Sequence, residues 1–117
     1  MKVKVGCDIQ YLPKFKEAVE KRGQTFLQNL FSAQELANND KIQSLSGLFA
    51  VKEAIIKAVG LEPGSWKRIE IIKRDNGKPD AVIENLDLNV ASCDISISHD
   101  QDYTMAIASF LIYEITN

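Results

Sequence analysis

Glu53 and Lys57 stand four residues apart in the stretch Phe49-Ala50-Val51-Lys52-Glu53-Ala54-Ile55-Ile56-Lys57-Ala58-Val59-Gly60, whose pattern predicts a helix. Residues at i and i+4 share one helix face, with Cβ atoms roughly 5–6 Å apart. A carboxylate and an ammonium so placed form either an ordinary surface pair or, with further groups, a site that binds a cation and handles phosphate. The further groups are Asp8, which follows a predicted opening strand, and Ile97-Ser98-His99, which ends a later one. One carboxylate from a loop and one from a helix suit Mg²⁺, which keeps several waters and takes one or two protein carboxylates plus substrate phosphates. Taken singly, Asp8 reads equally as a helix N-cap and Glu53 as a solvated helical glutamate. Lys57 would neutralise phosphate charge or protonate a leaving oxygen, or simply pair with Glu53. His99, the only histidine, is either structural or, following Ser98, a phosphate contact. Gly77-Lys78-Pro79 is either a plain hairpin turn or a place where a cation and a flat ring meet a nucleotide.

Other chemistries find no support. Cys7 and Cys93 have no metal-ligand spacing, and two cysteines make no disulfide framework. Cys7 reads as a small packed residue or a redox thiol. There is no zinc cluster, no Ser-His-Asp or Cys-His arrangement and no glycine-rich phosphate loop, so a phosphate site has to be built from metal and side chains. A net charge of −2 argues against a nucleic-acid-coating surface. Between Tyr11 and Arg22, however, Lys14, Lys16, Lys21 and Arg22 outnumber Glu17 and Glu20. That excess either steers an acidic partner or is a solvated helix face with internal ion pairs. No run reaches the length of a membrane span, and Met1 to Val5 lacks the apolar stretch of a signal peptide, so the expectation is a cytoplasmic protein that does not engage a membrane.

The elements that must position these residues follow from periodicity. At 117 residues, without repeats or linkers, the expectation is one domain over 1–117. Val3, Val5 and Cys7 alternate with Lys2, Lys4 and Gly6 in an opening strand that runs into Asp8. Pro13 begins a short amphipathic helix carrying Phe15 and Val19 and ending near Gly23. Phe26, Leu27, Leu30 and Phe31 form a second apolar cluster, and Ser32-Ala33-Gln34-Glu35 matches a capping box. Asn39 or Asp40 caps the long helix, whose apolar positions are Ile42, Leu45, Phe49, Ile56 and Val59 and which stops at Gly60. Ser46, Ala50, Glu53 and Lys57 run along a neighbouring face. Gly47, Ala50, Ala54 and Ala58 line a seam of small residues where another backbone can approach. Strands are expected at 68–73, 81–83 and 94–98, with Asp75-Asn76-Gly77-Lys78-Pro79 as a turn. A last strand carries Met105, Ile107, Leu111, Tyr113 and Ile115 on one face. Helices first and strands later argue an α+β fold, an antiparallel sheet packed on the long helix.

In this order Gly6-Cys7-Asp8-Ile9, the Phe49–Gly60 helix, Gly77-Lys78-Pro79 and Ser96-Ile97-Ser98-His99 resemble the short, holo-acyl-carrier-protein synthase type of 4′-phosphopantetheinyl transferase, over almost the whole chain. The resemblance implies that fold and the transfer of phosphopantetheine from coenzyme A to a serine of an apo acyl carrier protein, releasing 3′,5′-ADP. It implies that Asp8 and Glu53 hold Mg²⁺ and that Glu53 helps deprotonate the attacking serine. Lys57 would stabilise or protonate the departing phosphate, and His99, Ser98, Gly77, Lys78 and Pro79 would contact the nucleotide end of coenzyme A. Lys14, Lys21 and Arg22 would face an acidic carrier protein. It also implies a homotrimer with sites between protomers. Three positions depart from the family pattern. Cys7 stands where threonine is usual, and Lys14 where arginine is common, which forgoes bidentate geometry. Leu48 stands where an arginine that helps bind coenzyme A phosphate is frequent, with Lys41, Lys52 or another protomer as possible replacements. The rival reading is a non-catalytic carrier-protein-binding module that keeps the fold.

Overall fold

The computed structural model describes residues 1–114. Strand β1 (Lys2–Tyr11) leads into α1 (Leu12–Leu30), α2 (Ala33–Asn38) and the long α3 (Ile42–Val59). A 3-10 turn over Ser65–Arg68 then precedes the hairpin β2 (Ile69–Lys73) and β3 (Pro79–Ile83), followed by β4 (Val90–Asp100) and β5 (Tyr103–Ile112). The strands make an antiparallel sheet in the order β1-β5-β4 and a separate two-stranded sheet, β2-β3. The α+β arrangement with a sheet laid on α3 is the expected one.

The seam of small residues on α3 is what lets the sheet approach. A Cβ placed on Gly6 would lie 2.0 Å from the Ala54 carbonyl oxygen and 2.7 Å from the Ala58 amide nitrogen. Only glycine permits a contact this close between the strand and helix backbones. Gly47, at the other end of the seam, faces His99, whose Cε1 would be 3.5 Å from an added Cβ. Ala50, Ala54, Ala58, Ala106 and Ala108 are buried where helix meets sheet. Helix α3 also separates two apolar clusters. Val51, Ile55, Ile56, Ile69, Phe110 and Ile112 belong to one, and Phe15, Leu30, Phe31, Leu45 and Leu48 to the other.

Several boundaries differ from expectation. Helix α1 does break at Gly23, which is non-helical at φ 64° and ψ −149°, but it resumes and carries Phe26, Leu27 and Leu30 to its end. Neither Asn39 nor Asp40 caps α3. Its N-cap is Lys41, without a side-chain hydrogen bond, while the Asn39 amide donates to the Glu35 carbonyl and closes α2 instead. The capping box of α2 forms as read, with Ser32 Oγ accepting from the Glu35 amide and Glu35 Oε1 accepting from the Ser32 amide. Gly60 ends α3 in the left-handed region at φ 74°.

The largest difference concerns the sheet's two sides. Met105 and Ile107 do share one face, but it is the outer one, and Ala106, Ala108, Phe110 and Ile112 face the core. Tyr113 falls beyond β5, and Ile115 lies outside the described residues. On β1 the exposed residues are likewise Val3, Val5, Cys7, Ile9 and Tyr11, while Gly6 and Asp8 turn inward. Cys7 is therefore exposed on the outer face of the single chain and not packed in its core. Alternation specifies which side chains travel together, not which side becomes the core.

Candidate active site

Strand β1 continues through Asp8 to Tyr11, so Asp8 is no N-cap; that position is Tyr11's. Two residues past Gly6, on the same side of the strand, Asp8 is held against α3 by the tight contact at Gly6. There the Lys57 ammonium donates to Asp8 Oδ1 at 3.1 Å and to the Cys7 carbonyl at 3.0 Å. The Asp8 side chain is shielded at 12% exposure while that of Lys57 is 55% exposed, so the ammonium straddles site and solvent. Lys57 makes no ion pair with Glu53 among the described residues. The surface-pair reading therefore fails, because a backbone carbonyl and a shielded carboxylate compete better for the ammonium than the neighbouring glutamate does. Asp8 Oδ2 accepts from Gln10 Nε2 at 2.6 Å, which fixes the carboxylate's orientation from within its own strand.

Glu53 faces the same crossing. Loss of water around its carboxylate, and then the negative charge of Asp8, push its pKa above the ordinary glutamate value. The Trp66 indole and the Lys57 ammonium pull it back. Two partly desolvated carboxylates that repel each other, with the Lys57 ammonium held on Asp8, form a hard oxygen donor set that suits a small divalent cation. Among the described residues no third histidine, cysteine or carboxylate joins them. A cation held here would take its remaining ligands from water and from a substrate's oxygens. Asp8, Glu53 and Lys57 thus suit phosphate chemistry, in which charge neutralisation and positioning do most of the work.

The other candidate residues do not all converge on this point. His99 lies on the helix-facing side of β4, and its Nδ1 is 3.0 Å from Thr104 Oγ1. It belongs to the row Gln10–Thr104–His99, next to the row Asp8–Ala106–Ile97. Strand spacing and rise put its backbone roughly 12 Å from that of Asp8. Ser98 points to the opposite side, where it and an edge of His99 border a shallow groove with Ile9, Asp100, Tyr103 and Met105. Gly77 and Pro79 line a groove of about 300 Å³ with Leu48, Ile71, Lys73 and Ile97. Gly77 takes φ 84° in the hairpin turn, and the Lys78 amide donates to Asn76 Oδ1. Lys14, Lys21 and Arg22 edge a depression on α1 with Glu17 and Ala18. Lys21 pairs with Glu17, and the Arg22 guanidinium lies 4.7 Å from the Phe26 ring centre.

Lys52 cannot substitute for a cation at Leu48. It is fully buried, and its ammonium donates to Glu35 Oε1 at 2.7 Å, to the Leu30 carbonyl at 2.8 Å and to the Trp66 carbonyl at 3.3 Å. Burial pulls its pKa down while Glu35 holds it up. Glu35 also accepts the Ile71 amide through Oε2. Sequence reasoning missed this pair, along with Gln10, Thr104 and Trp66. Gln10 was recoverable from the period-2 rule once the strand ran past Asp8; the others meet their partners across long stretches of chain and leave no local signal.

A small α+β protein with a carboxylate–lysine site at a strand–helix crossing is the class that fold and geometry define. Residues 4–108 match the family described as the 4′-phosphopantetheinyl transferase superfamily. The chain is 34% identical over 113 residues to a holo-[acyl-carrier-protein] synthase of Sulfurovum sp. (strain NBC37-1), covering 92% of this chain and 95% of that one. It is 37% identical over 110 residues to the synthase of Oceanobacillus iheyensis, covering 87% and 90%. The crystal structure of Helicobacter pylori holo-[acyl-carrier-protein] synthase in complex with coenzyme A superposes with a TM-score of 0.81 at 27% identity, covering 93% of this chain and 99% of that one. This chain belongs to the 4′-phosphopantetheinyl transferase superfamily, within its holo-acyl-carrier-protein synthase family of enzymes.

Proposed function

We propose that this enzyme transfers 4′-phosphopantetheine from coenzyme A to a serine hydroxyl of an apo acyl carrier protein, leaving 3′,5′-ADP. The observation that carries the reading is the meeting of Asp8, Glu53 and Lys57 where β1 crosses α3. Asp8 and Glu53 would hold Mg²⁺, which when bound supplies positive charge to the pyrophosphate. The serine oxygen would attack the phosphorus that carries pantetheine, and Glu53 would help remove its proton, directly or through a water beside it. The bond from that phosphorus to the bridging oxygen breaks. Lys57, half in solvent and already turned into the site, stabilises or protonates the phosphate oxygen that leaves.

The groove bordered by Gly77, Pro79 and Leu48 suits the flat, apolar part of a nucleotide. Ser98, His99 and Lys78 would contact its phosphates from a separate place on the sheet and hairpin. Gly77 and Pro79 border one groove and Ser98 and His99 another, an arrangement that supports a homotrimer with sites between copies. The exposed apolar outer face of the sheet, with Val3, Val5, Ile9, Met105 and Ile107, supports the same arrangement. Lys14, Lys21 and Arg22 would receive an acidic carrier protein. No helix among the described residues is long and apolar enough to cross a membrane, and the reaction is expected in the cytoplasm.

The test mixes purified protein with apo acyl carrier protein, coenzyme A and Mg²⁺ and follows carrier mass. A phosphopantetheine adduct that requires Mg²⁺ and disappears in Glu53→Ala is the expected result. Tight carrier binding without an adduct, across several carriers, would instead identify a non-catalytic carrier-binding module.

A further inference from the structure

Trp66 is the only tryptophan of the chain, and it is held in place from three directions. Gly64, at φ 89°, turns the chain into the short 3-10 segment that carries it. Its ring packs on Phe49 with centroids 5.9 Å apart, and its carbonyl accepts from the buried Lys52 ammonium. Phe49 and Glu53 are one turn apart on α3 and Lys52 adjoins Glu53, so the indole lies over the patch from which the Glu53 carboxylate projects. Its Nε1–H is buried and has no partner at good hydrogen-bonding geometry. Buried polar hydrogens left in that state are rare, since the lost hydration goes uncompensated. The Glu53 carboxylate feels this indole as a donor, which opposes the upward push of burial on its pKa.

We infer that Trp66 is a positioning residue, whose indole N–H donates to the Glu53 carboxylate and holds it turned toward Asp8 and Lys57. This rests on the reading of Glu53 as a cation ligand. One oxygen of Glu53 is then occupied by a fixed donor and the other faces the site, as partners behind metal-binding carboxylates commonly arrange. Phe49 and Lys52 act on the site through Trp66: one fixes the ring, the other the backbone.

A lone tryptophan supplies a lone indole N–H resonance, which makes the contact directly measurable. In ¹⁵N-labelled native protein without metal, that proton exchanges slowly with water, and Glu53→Ala moves the resonance and speeds its exchange. A resonance indifferent to Glu53→Ala overturns the inference. Trp66→Phe keeps the ring on Phe49 and removes only the donor. With coenzyme A present, Mn²⁺ affinity read by electron paramagnetic resonance should fall about tenfold, while cooperative thermal unfolding of the metal-free protein persists. Unchanged Mn²⁺ affinity in a folded Trp66→Phe also overturns it, and if that variant does not fold the resonance decides. Native protein that binds no Mn²⁺ and modifies no carrier defeats the transferase reading instead, a result distinguishable from loss of the indole contact.

Discussion

Lys57 shows how a residue's role turns on what it reaches rather than on its helical neighbour. Its ammonium spans Asp8 and the Cys7 carbonyl, so its charge is delivered to the place where a phosphate would sit. Lys57→Ala should lower the transfer rate by about 10²–10³-fold, as loss of a transition-state donor does, with carrier affinity little changed. Steady-state kinetics beside a carrier-binding measurement separate the two effects. Glu53 carries a pH signature of its own. Because its folded pKa is raised, the native state holds the proton more tightly than the unfolded chain. The neutral carboxyl's stabilisation is therefore fully present below the ordinary glutamate value and is lost as pH rises through the raised one. Metal-free Glu53→Gln should thus equal or exceed the native protein in stability near neutrality, with the gap closing on acidification through that window. Denaturant titrations at several pH values check this, and a gap that widens on acidification would contradict it.

At the scale of elements, the close approach of β1 and α3 is what makes a site. Gly6→Ala would drive a methyl into the Ala54 carbonyl and the Ala58 amide, backbone atoms that cannot swing aside as a side chain can. A cost of about 1–3 kcal/mol is expected, together with a larger loss of transfer because Asp8 moves off Lys57. An unfolding curve and a rate measured on the same preparation reveal the mismatch. The Lys52–Glu35 pair joins α3, α2 and β2 beneath the site. Lys52→Met leaves the Glu35 carboxylate buried without its cation and should cost about 3–5 kcal/mol, read from a denaturant midpoint. Adding Glu35→Leu should recover part of that loss. The capping box, the Gly60 stop and the hairpin turn were legible because each is a local rule satisfied by adjacent residues. The N-cap of α3 was not, because Asn39 found a better acceptor in the helix behind it.

At the scale of the molecule, the sheet has one face on α3 and another that offers Val3, Val5, Ile9, Met105 and Ile107 to solvent. In the proposed assembly that face is covered. Ile107→Lys should convert the assembly to monomers, seen by sedimentation, and abolish transfer, because a site completed by a neighbour is then left open. A variant of unchanged size and activity would refute assembly through this face. Cys7, on the same face, should resist alkylation in the native assembly and react once the variant dissociates. Cys93 should stay inert in both, since burial holds its thiol up to about 11.

The residues' own types and spacing determined the α+β class, the long helix with its small-residue seam, the glycine stop, the capping box, and the candidates Asp8, Glu53 and Lys57. Those features follow from interactions within a few residues or from one periodicity. Only the tertiary structure decided that Lys57 pairs with Asp8 and not Glu53, that Lys52 is buried beside Glu35, that Trp66 packs on Phe49, and which side of the sheet is the core. Each depends on which distant segment comes to lie alongside, and the packing of a glycine-bearing strand against an alanine-lined helix settles that where local pattern cannot.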